Sequence, residues 1–321
     1  MKSWKTIALS VCAASSLIVG SSTAAAQAYP TRPIRLVVPF AAGSGTDVMT
    51  RTLIEDVSAG LNANFIIDNR PGQNGSIAAE LVSKATPDGY TLLLGTSSAH
   101  SANPWLYKKL HYAPVKDFTP IARTTNFPFV LVVSGKSPSM TIADFLASAK
   151  SNKLTMGYGN ATGQVAGGHL MHVAKFTAVG VPYRSTPPAI VDLVGGQFDF
   201  MFVDLASSQA MVKEGKLRPL AMMSDATSPL MPGLPGLGET FPGFNYVAWG
   251  GLMGPAGVPK DIVTKLNAEV VKSLNKPAIR ERFAALGLEP FPSGVDEFAA
   301  FMVEQQAAWG AQIKAAGIEP E

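Results

Sequence analysis

A short loop of small residues early in the chain has the composition of an anion-binding turn. It lies between an apolar strand and a helix and contains Phe40, Gly43, Ser44, Gly45, Thr46 and Asp47. Glycine lets the backbone approach a ligand closely, and the first amides of a helix lack intrahelical acceptors and carry the positive end of its dipole. A carboxylate or a phosphate suits such a loop. A plain tight turn has the same composition, so the loop alone leaves both interpretations open.

The residue that caps the helix decides which amides face outward. Thr46 or Asp47 is the expected cap, because both side chains can accept hydrogen bonds from the first helical turn. An Asp47 carboxylate that folds back onto its own helix would leave the amides of residues 43–46 free. We therefore predict that these four amides contact the anion.

Polar or small residues also follow three later strands. They are Thr96, Ser97 and Ser98; then Gly159, Asn160, Thr162 and Gly163; then Tyr183, Arg184 and Ser185. Ligands of open α/β sheets bind outside the carboxyl ends of the strands, so these loops are expected to share one cleft with residues 40–47. Two further candidates are His169 at a helix start and Asp204 after an apolar strand. Helix capping is the alternative role for the Ser, Thr, Asn and Asp side chains.

The elements that must position these loops alternate between strand and helix patterns. Apolar runs predict strands at residues 36–38, 65–67, 90–94, 129–133, 154–158, 180–183, 198–203 and 246–253. Helical patterns lie at 76–84, 142–150, 169–176, 188–194, 260–274 and 295–316, with a Gly-rich turn expected over 157–168. This order predicts an α/β fold with largely parallel sheets.

The first 28 residues have the pattern of a secretion signal. Lys2 and Lys5 precede an apolar stretch at 7–19, and the small residues that follow end at Ala28. This pattern predicts export to the periplasm with cleavage after Ala28. The apolar stretch is shorter than the roughly 20 residues that span a bilayer, and Cys12 lies in a poor lipoprotein context.

Composition excludes several other functions. The chain has a net charge of +3, of which Lys2 and Lys5 contribute two, so the exported part is almost neutral and nucleic-acid binding is not expected. Cys12 is the single cysteine, so the exported part has no disulfide, catalytic thiol or cysteine-bound zinc. We predict no cofactor and no metal.

Two weak patterns test an enzymatic alternative. His169 and His172 are three residues apart, but no carboxylate nearby in sequence completes a metal site and no His-Glu-x-x-His motif is present. Ser97 and His100 are neighbours, yet the chain has no Gly-x-Ser-x-Gly elbow. A periplasmic hydrolase is therefore the weaker hypothesis, and a binding protein that is not an enzyme is the stronger one.

Short motifs that recur in order along the exported chain are similar to a known family. They are PIRLVVPF (33–40) with GSGTD (43–47), DNRPG (68–72), PDGYTLL (87–93), KDFTPI (116–121), VPY (181–183), LVGGQ (193–197), GPAG (254–257) and AGI (316–318). As a set they resemble the Bug-type extracytoplasmic binding proteins of tripartite tricarboxylate transporters.

The resemblance implies a two-domain, type II-like periplasmic binding protein of Venus-flytrap form, with mixed, mostly parallel sheets flanked by helices. Residues 29–127 and 247–321 would form domain 1, and residues 128–246 would form domain 2. The expected ligand is a di- or tricarboxylate, an aromatic acid or an acidic amino acid. The expected protein partner is an inner-membrane permease, with the binding protein itself a monomer. A sensor component that signals to a histidine kinase is the alternative output.

The chain departs from the family pattern at the proposed site. Ser44 stands where the family commonly has glycine, and its hydroxyl could donate to a ligand. Arg184 and Ser185 stand where the family usually has Lys-Gly. Arg184 could pair with a second carboxylate or lie on an exposed rim, and both possibilities stay open. Asp204 could accept a hydrogen bond from a ligand hydroxyl or amine, or could instead act as a helix cap or a hinge contact, and these roles also stay open.

Overall fold

The computed structural model describes residues 29–321, and the predicted secretion signal and its cleavage site lie outside this range. Two mixed sheets are each flanked by helices. The first sheet has the order β11-β4-β10-β3-β1-β2, and the second has the order β7-β6-β8-β5-β9. The strands are β1 (Ile34–Val38), β2 (Phe65–Asn69), β3 (Thr91–Thr96), β4 (Phe118–Asn126), β5 (Phe129–Ser134), β6 (Leu154–Tyr158), β7 (Ala178–Pro182), β8 (Phe200–Asp204), β9 (Leu217–Met222), β10 (Trp249–Pro255) and β11 (Glu289–Pro290).

Ten α-helices cover the faces of the two sheets within residues 29–321. They are α1 (Gly45–Leu61), α2 (Ser76–Ser83), α3 (Asn103–Leu106), α4 (Ile142–Ser151), α5 (Ala161–Ala174), α6 (Thr186–Val194), α7 (Leu205–Lys213), α8 (Lys260–Leu274), α9 (Pro277–Ala285) and α10 (Val295–Ala315). Helices α5, α6 and α7 pack on the second sheet, and α4 reaches it through Phe145, which contacts Phe200 of β8. Helices α1, α2, α8, α9 and α10 pack on the first sheet, and α3 packs on α10. We call the first sheet with its helices the first lobe, and the second sheet with its helices the second lobe.

The predicted two-lobed α/β architecture with mixed sheets is confirmed. In each sheet, parallel pairs lie on one side: β2-β1-β3 in the first and β7-β6-β8 in the second. Antiparallel pairs lie on the other side, next to the two places where the chain crosses between lobes, from β4 to β5 and from β9 to β10. The carboxyl ends of β1 and β3 therefore face those of β6 and β8.

The core explains why these segments fold as they do. In β1, the apolar side chains are almost completely buried, because helices cover both faces of the parallel part of the sheet. Two tryptophans, Trp249 in β10 and Trp309 in α10, are among the largest buried side chains. No helix among residues 29–321 is long and apolar enough to cross a membrane.

Helix α5 begins earlier than its glycine content predicts. The predicted Gly-rich turn over 157–168 is wrong, because the helix already begins at Ala161. Asn160 caps it by accepting from Gly163 N at 2.9 Å. A Cβ at Gly167 would lie 1.8 Å from Met156 Sδ, so that glycine permits close packing of helix on strand and does not mark a turn. By contrast, the predicted helix at 260–274 is confirmed without change as α8.

Candidate ligand-binding site

A small cavity of about 20 Å³ lies between the two lobes. By volume it holds about one water molecule. Its polar lining is Ser44, Thr46, Thr96, Ser97, Ser98, Asn160, Thr162, Thr186 and Asp204, and its apolar lining is Phe40, Phe127, Phe129, Ala248 and Trp249. The strand-end loops of both lobes thus meet at one cavity.

Direct contacts hold the lobes together around this cavity. Ala41 N donates to Ser185 Oγ at 3.1 Å and Gly45 N donates to Ser207 Oγ at 2.7 Å. The hydroxyls of Ser97 and Thr162 lie 3.4 Å apart. Each pair joins a residue of the first lobe to one of the second, so the structure is a closed arrangement of the lobes.

The loop between β1 and α1 is capped differently from the prediction. The expectation of Thr46 or Asp47 as the cap is wrong: the cap is Ser44, whose Oγ accepts from Asp47 N at 3.3 Å, and the helix begins at Gly45. A hydroxyl that accepts from the helix keeps its own proton for donation. Since Ser44 lines the cavity, that proton is available to a ligand.

The prediction that the amides of residues 43–46 are free is also wrong. Gly43 N donates to Asp47 Oδ2 at 3.0 Å, Ser44 N donates to Ala41 O at 3.1 Å, and Gly45 N reaches Ser207. Within the described chain only the Thr46 amide of these four donates to no acceptor. The helix start therefore offers a ligand one free amide and not a nest of four.

Asp47 anchors the loop and does not line the cavity. Its carboxylate accepts from Arg51, Asn69 and Gly43. Burial acts to raise the pKa of Asp47, but hydrogen bonds from Arg51, Gly43 and Asn69 outweigh that effect and hold the pKa below its ordinary value. Asp47 is thus an ionised support of the β1–α1 turn.

The end of β3 supplies three hydroxyls to the cavity. Thr96 is 4% exposed, and its Oγ1 has no hydrogen-bond partner within residues 29–321. A buried hydroxyl without a partner destabilises a fold unless something else satisfies it. The chain continues as one turn of π-helix from Ser98 to Ala102, which places Ser97 and Ser98 at the cavity wall.

The second lobe contributes side chains from the starts of three helices. Asn160 caps α5 and donates from Nδ2 to Thr186 Oγ1 at 3.2 Å, and Thr162 faces Ser97. Asp204 ends β8 and caps α7, accepting from Ser207 N at 2.8 Å and from Ser207 Oγ at 2.9 Å. Burial raises the pKa of the Asp204 carboxyl, against the lowering effect of the bonds from Ser207.

The apolar wall contains residues that sequence reasoning missed. Trp249 begins β10 directly after Ala248, and Phe129 begins β5, where it pairs with Asp204 in register. Thr186 was missed as well, although it directly follows a predicted loop. The three apolar residues lie next to the places where the chain crosses between lobes, whereas Thr186 begins α6 in the second lobe. In sequence, an apolar residue at a crossing cannot be distinguished from any other core residue. Thr186 could have been predicted, because it directly follows Ser185 in a polar strand-end loop.

Several predicted site residues lie outside the cavity. Tyr183 and Arg184 line a neighbouring pocket between the lobes, together with Asn74, Gln164 and Glu321. The Tyr183 hydroxyl donates to Asp192 Oδ2 at 2.7 Å. That pocket measures about 230 Å³, so Arg184 borders a larger interlobe space than the inner cavity.

The remaining predicted residues have packing or bridging positions. Gly159 packs against the backbone of Ser185, since a Cβ there would lie 2.4 Å from the Ser185 carbonyl carbon. Gly163 N donates to the α5 cap, and Ser185 bridges to Ala41. His169 lies in the third turn of α5, not at a helix start as predicted. Its Nδ1 is 2.7 Å from the Tyr246 hydroxyl, and it does not line the cavity.

His100 does not pair with Ser97. Its Nδ1 donates to Pro114 O at 2.7 Å, and its ring packs among Tyr112, Phe118 and Trp249. Burial lowers the pKa of His100 to about 4. The histidine that a Ser97-based hydrolase would need is therefore a neutral core residue. No group of three potential metal ligands occurs among residues 29–321.

The chain matches the family model described as "Tripartite tricarboxylate transporter family receptor" over residues 49–318. The chain belongs to this receptor family. It is 31% identical to protein BugT of Bordetella pertussis, with 91% of each chain covered. The solved structure of Rpa4515 from R. palustris with adipate is 31% identical, with a TM-score of 0.89 and coverage of 91% of this chain and 100% of that one. MatC from Rhodopseudomonas palustris with bound malate is 32% identical, with a TM-score of 0.83 and coverage of 89% and 100%.

Membership of the receptor family settles the class of protein. The predicted resemblance to Bug-type receptors is confirmed, and the solved relatives are solute-binding proteins and not enzymes. Receptors of this family act outside the cytoplasm. The prediction of a binding protein without catalysis is therefore confirmed by the family to which the chain belongs.

Proposed function

We propose that the receptor captures a small organic carboxylate between its lobes and presents it to the membrane permease of a tripartite tricarboxylate transporter. The observation that carries this proposal is the Thr96 hydroxyl, which is buried at the cavity and has no partner in the described chain. Ser44 and Thr46 add a hydroxyl proton and an amide from the start of α1. Donors in a desolvated cleft at a helix start favour an anion.

We expect this site to bind a carboxylate through uncharged hydrogen-bond donors. No Lys, Arg or His among residues 29–321 lines the cavity. A carboxylate would therefore be held by hydroxyls and an amide, while Arg184 in the neighbouring pocket could receive a remote second carboxylate. Adipate in Rpa4515 and malate in MatC are both dicarboxylates, which supports acids of this kind as ligands.

Binding requires small rearrangements of the closed lobes. A cavity of about 20 Å³ is smaller than any organic acid, so the acid must replace direct contacts such as Ser97 with Thr162. Such a replacement exchanges hydroxyl–hydroxyl bonds for stronger bonds to a charged acceptor. One chain supplies both walls of the cavity, so a monomer suffices.

The direct test is a thermal-shift screen followed by calorimetry on the purified mature protein. The acids are adipate, succinate, malate, aspartate, glutamate, citrate and benzoate. A ligand that binds the folded state raises its apparent stability. Ser98→Ala, at the cavity, is expected to weaken binding of the acid that scores best, whereas Ser83→Ala, on α2, leaves it unchanged. Absence of binding across the panel, or equal effects of both variants, contradicts the site assignment.

Location and delivery need tests in cells. Export with cleavage after Ala28 predicts that the periplasmic fraction contains a chain beginning at Tyr29, which N-terminal sequencing detects. Delivery to a permease predicts that deletion of the gene abolishes uptake of the bound acid. Normal uptake in the deletion strain, with the acid still bound by the purified protein, would contradict the transport role alone.

A further inference from the structure

One acidic side chain faces the proposed carboxylate site. Asp204 is 6% exposed and is the single ionisable side chain lining the cavity within residues 29–321. It makes no ion pair with a lysine or arginine of the described chain. A buried carboxylate without a cation is unfavourable unless hydrogen-bond donors surround it. The identity of its donors therefore decides what the cavity accepts.

The donors that the protein supplies are few. Ser207 gives two hydrogen bonds, from N to Oδ1 and from Oγ to Oδ2. Ser207 Oγ in turn accepts from Gly45 N at 2.7 Å, which ties the carboxylate to the start of α1 across the cleft. A carboxylate has about four acceptor positions, so about two remain unfilled.

The charged groups of the surrounding elements do not compensate. On α1, Asp47 and Arg51 pair with each other, with Arg51 Nε 3.0 Å from Asp47 Oδ2. On α7, the basic residue Lys213 lies in the last turn, at the opposite end from Asp204. A second full negative charge placed beside Asp204 would meet no cation of the cavity wall.

We infer that Asp204 makes the site selective for carboxylates that carry a hydroxyl or an ammonium group next to the carboxyl. This inference rests on the proposed carboxylate binding. The ligand carboxylate contacts the first-lobe donors Ser44 and Thr96, and its α-substituent donates to Asp204. An unsubstituted acid brings no donor and leaves two anions facing each other in a dry site. An ammonium group also balances the charge.

The test compares acids that differ only at the α-position. Calorimetry uses three series: succinate, malate and aspartate; adipate, 2-hydroxyadipate and 2-aminoadipate; phenylacetate, mandelate and phenylglycine. In the series that binds, the hydroxy or amino acid is expected to bind about tenfold or more tightly than the unsubstituted acid. Asp204→Asn keeps a cap for α7 but removes the charge, and should reduce this preference to less than about threefold.

Two further variants serve as a replacement and a control in this test. Asp204→Ser also keeps a capping oxygen and replaces Asp204→Asn if that variant does not fold. Asp199→Asn changes an acid that lies just before β8, at the end away from Asp204, and whose carboxylate accepts from Thr155. This variant should keep the preference of the unaltered protein. Two results would overturn the inference and leave the proposed function standing. One is tight binding of an unsubstituted acid with no higher affinity for its hydroxy or amino analogue. The other is a preference for the α-substituted acid that persists when the Asp204 charge is removed. Failure of all three series, together with glutamate, citrate and benzoate, to bind overturns both.

Discussion

Because the Thr96 hydroxyl has no hydrogen-bond partner in the described chain, removing it should raise the stability of the fold while it weakens acid binding. Replacing Thr96 with valine keeps the shape of the side chain and removes a buried polar group that no described residue satisfies. In the absence of an acid, the free energy of unfolding is expected to rise by about 1 kcal/mol, at the low end of the penalty for an unsatisfied buried group. With an acid, the same change removes a hydrogen bond to a charged group, which contributes about 1.5–3 kcal/mol. Affinity should therefore fall by about 10- to 100-fold.

Thr124 provides a matched control in the same lobe. Its side chain is fully buried in β4, and its Oγ1 also lacks a partner within residues 29–321, but it does not line the cavity. Thr124→Val should raise the free energy of unfolding by a similar amount and leave affinity unchanged. Urea unfolding measures stability, and calorimetry with the best acid of the panel measures binding. Unchanged affinity in Thr96→Val, or an equal loss in Thr124→Val, would refute the assignment of Thr96 to the ligand.

Two further changes test lobe closure and a buried histidine. A Cβ at Gly45 would lie 2.0 Å from Asp204 Oδ1, so Gly45→Ala should hold the lobes apart and weaken acid binding by about tenfold. The control is Gly195→Ala, where the nearest atoms to the added Cβ lie at 3.4 Å. This control variant should bind the acid normally in the same titration. Burial lowers the pKa of His100 from 6.5 to about 4, so the unfolded state takes up the proton first as pH falls through this window. The free energy of unfolding should then drop by roughly 3 kcal/mol between pH 7 and pH 4, and urea titrations should show a smaller drop in His100→Gln than in a variant of the exposed His111.

The sequence predicts the lobes and the strand-end loops well, because both follow from local pattern. Apolar runs that end in small polar residues are visible without any tertiary information, and Ser97, Ser98 and Asn160 indeed meet at the cavity. The start of α5 does not follow from its composition because glycine usually interrupts helices, whereas Gly167 lets this helix pack closely on Met156 of the preceding strand β6. Such packing requirements leave no local signal.

The free amides at the start of α1 were overestimated for a related reason. Sequence reasoning assigned the cap to Asp47 or Thr46 and left the neighbouring amides to a ligand. In the folded chain, Gly45 N is taken by Ser207, which is 162 residues away. A long-range partner of this kind cannot be read from a loop. The polar character of the site was thus predictable, whereas the count of available donors required the structure.

The division of donors between lobes explains why closure and binding are coupled. Ser97 in the first lobe and Thr162 in the second are amphoteric hydroxyls, and each can satisfy the other when the lobes meet without an acid. The closed form is therefore accessible to the protein alone, and an acid shifts the equilibrium only by its additional affinity for that form. Among the buried hydroxyls of the cavity, Thr96 is the exception, because no residue of the described chain satisfies its hydroxyl in the closed arrangement. The extra stability that a bound acid gives to the closed form thus depends most on its hydrogen bond with the Thr96 hydroxyl.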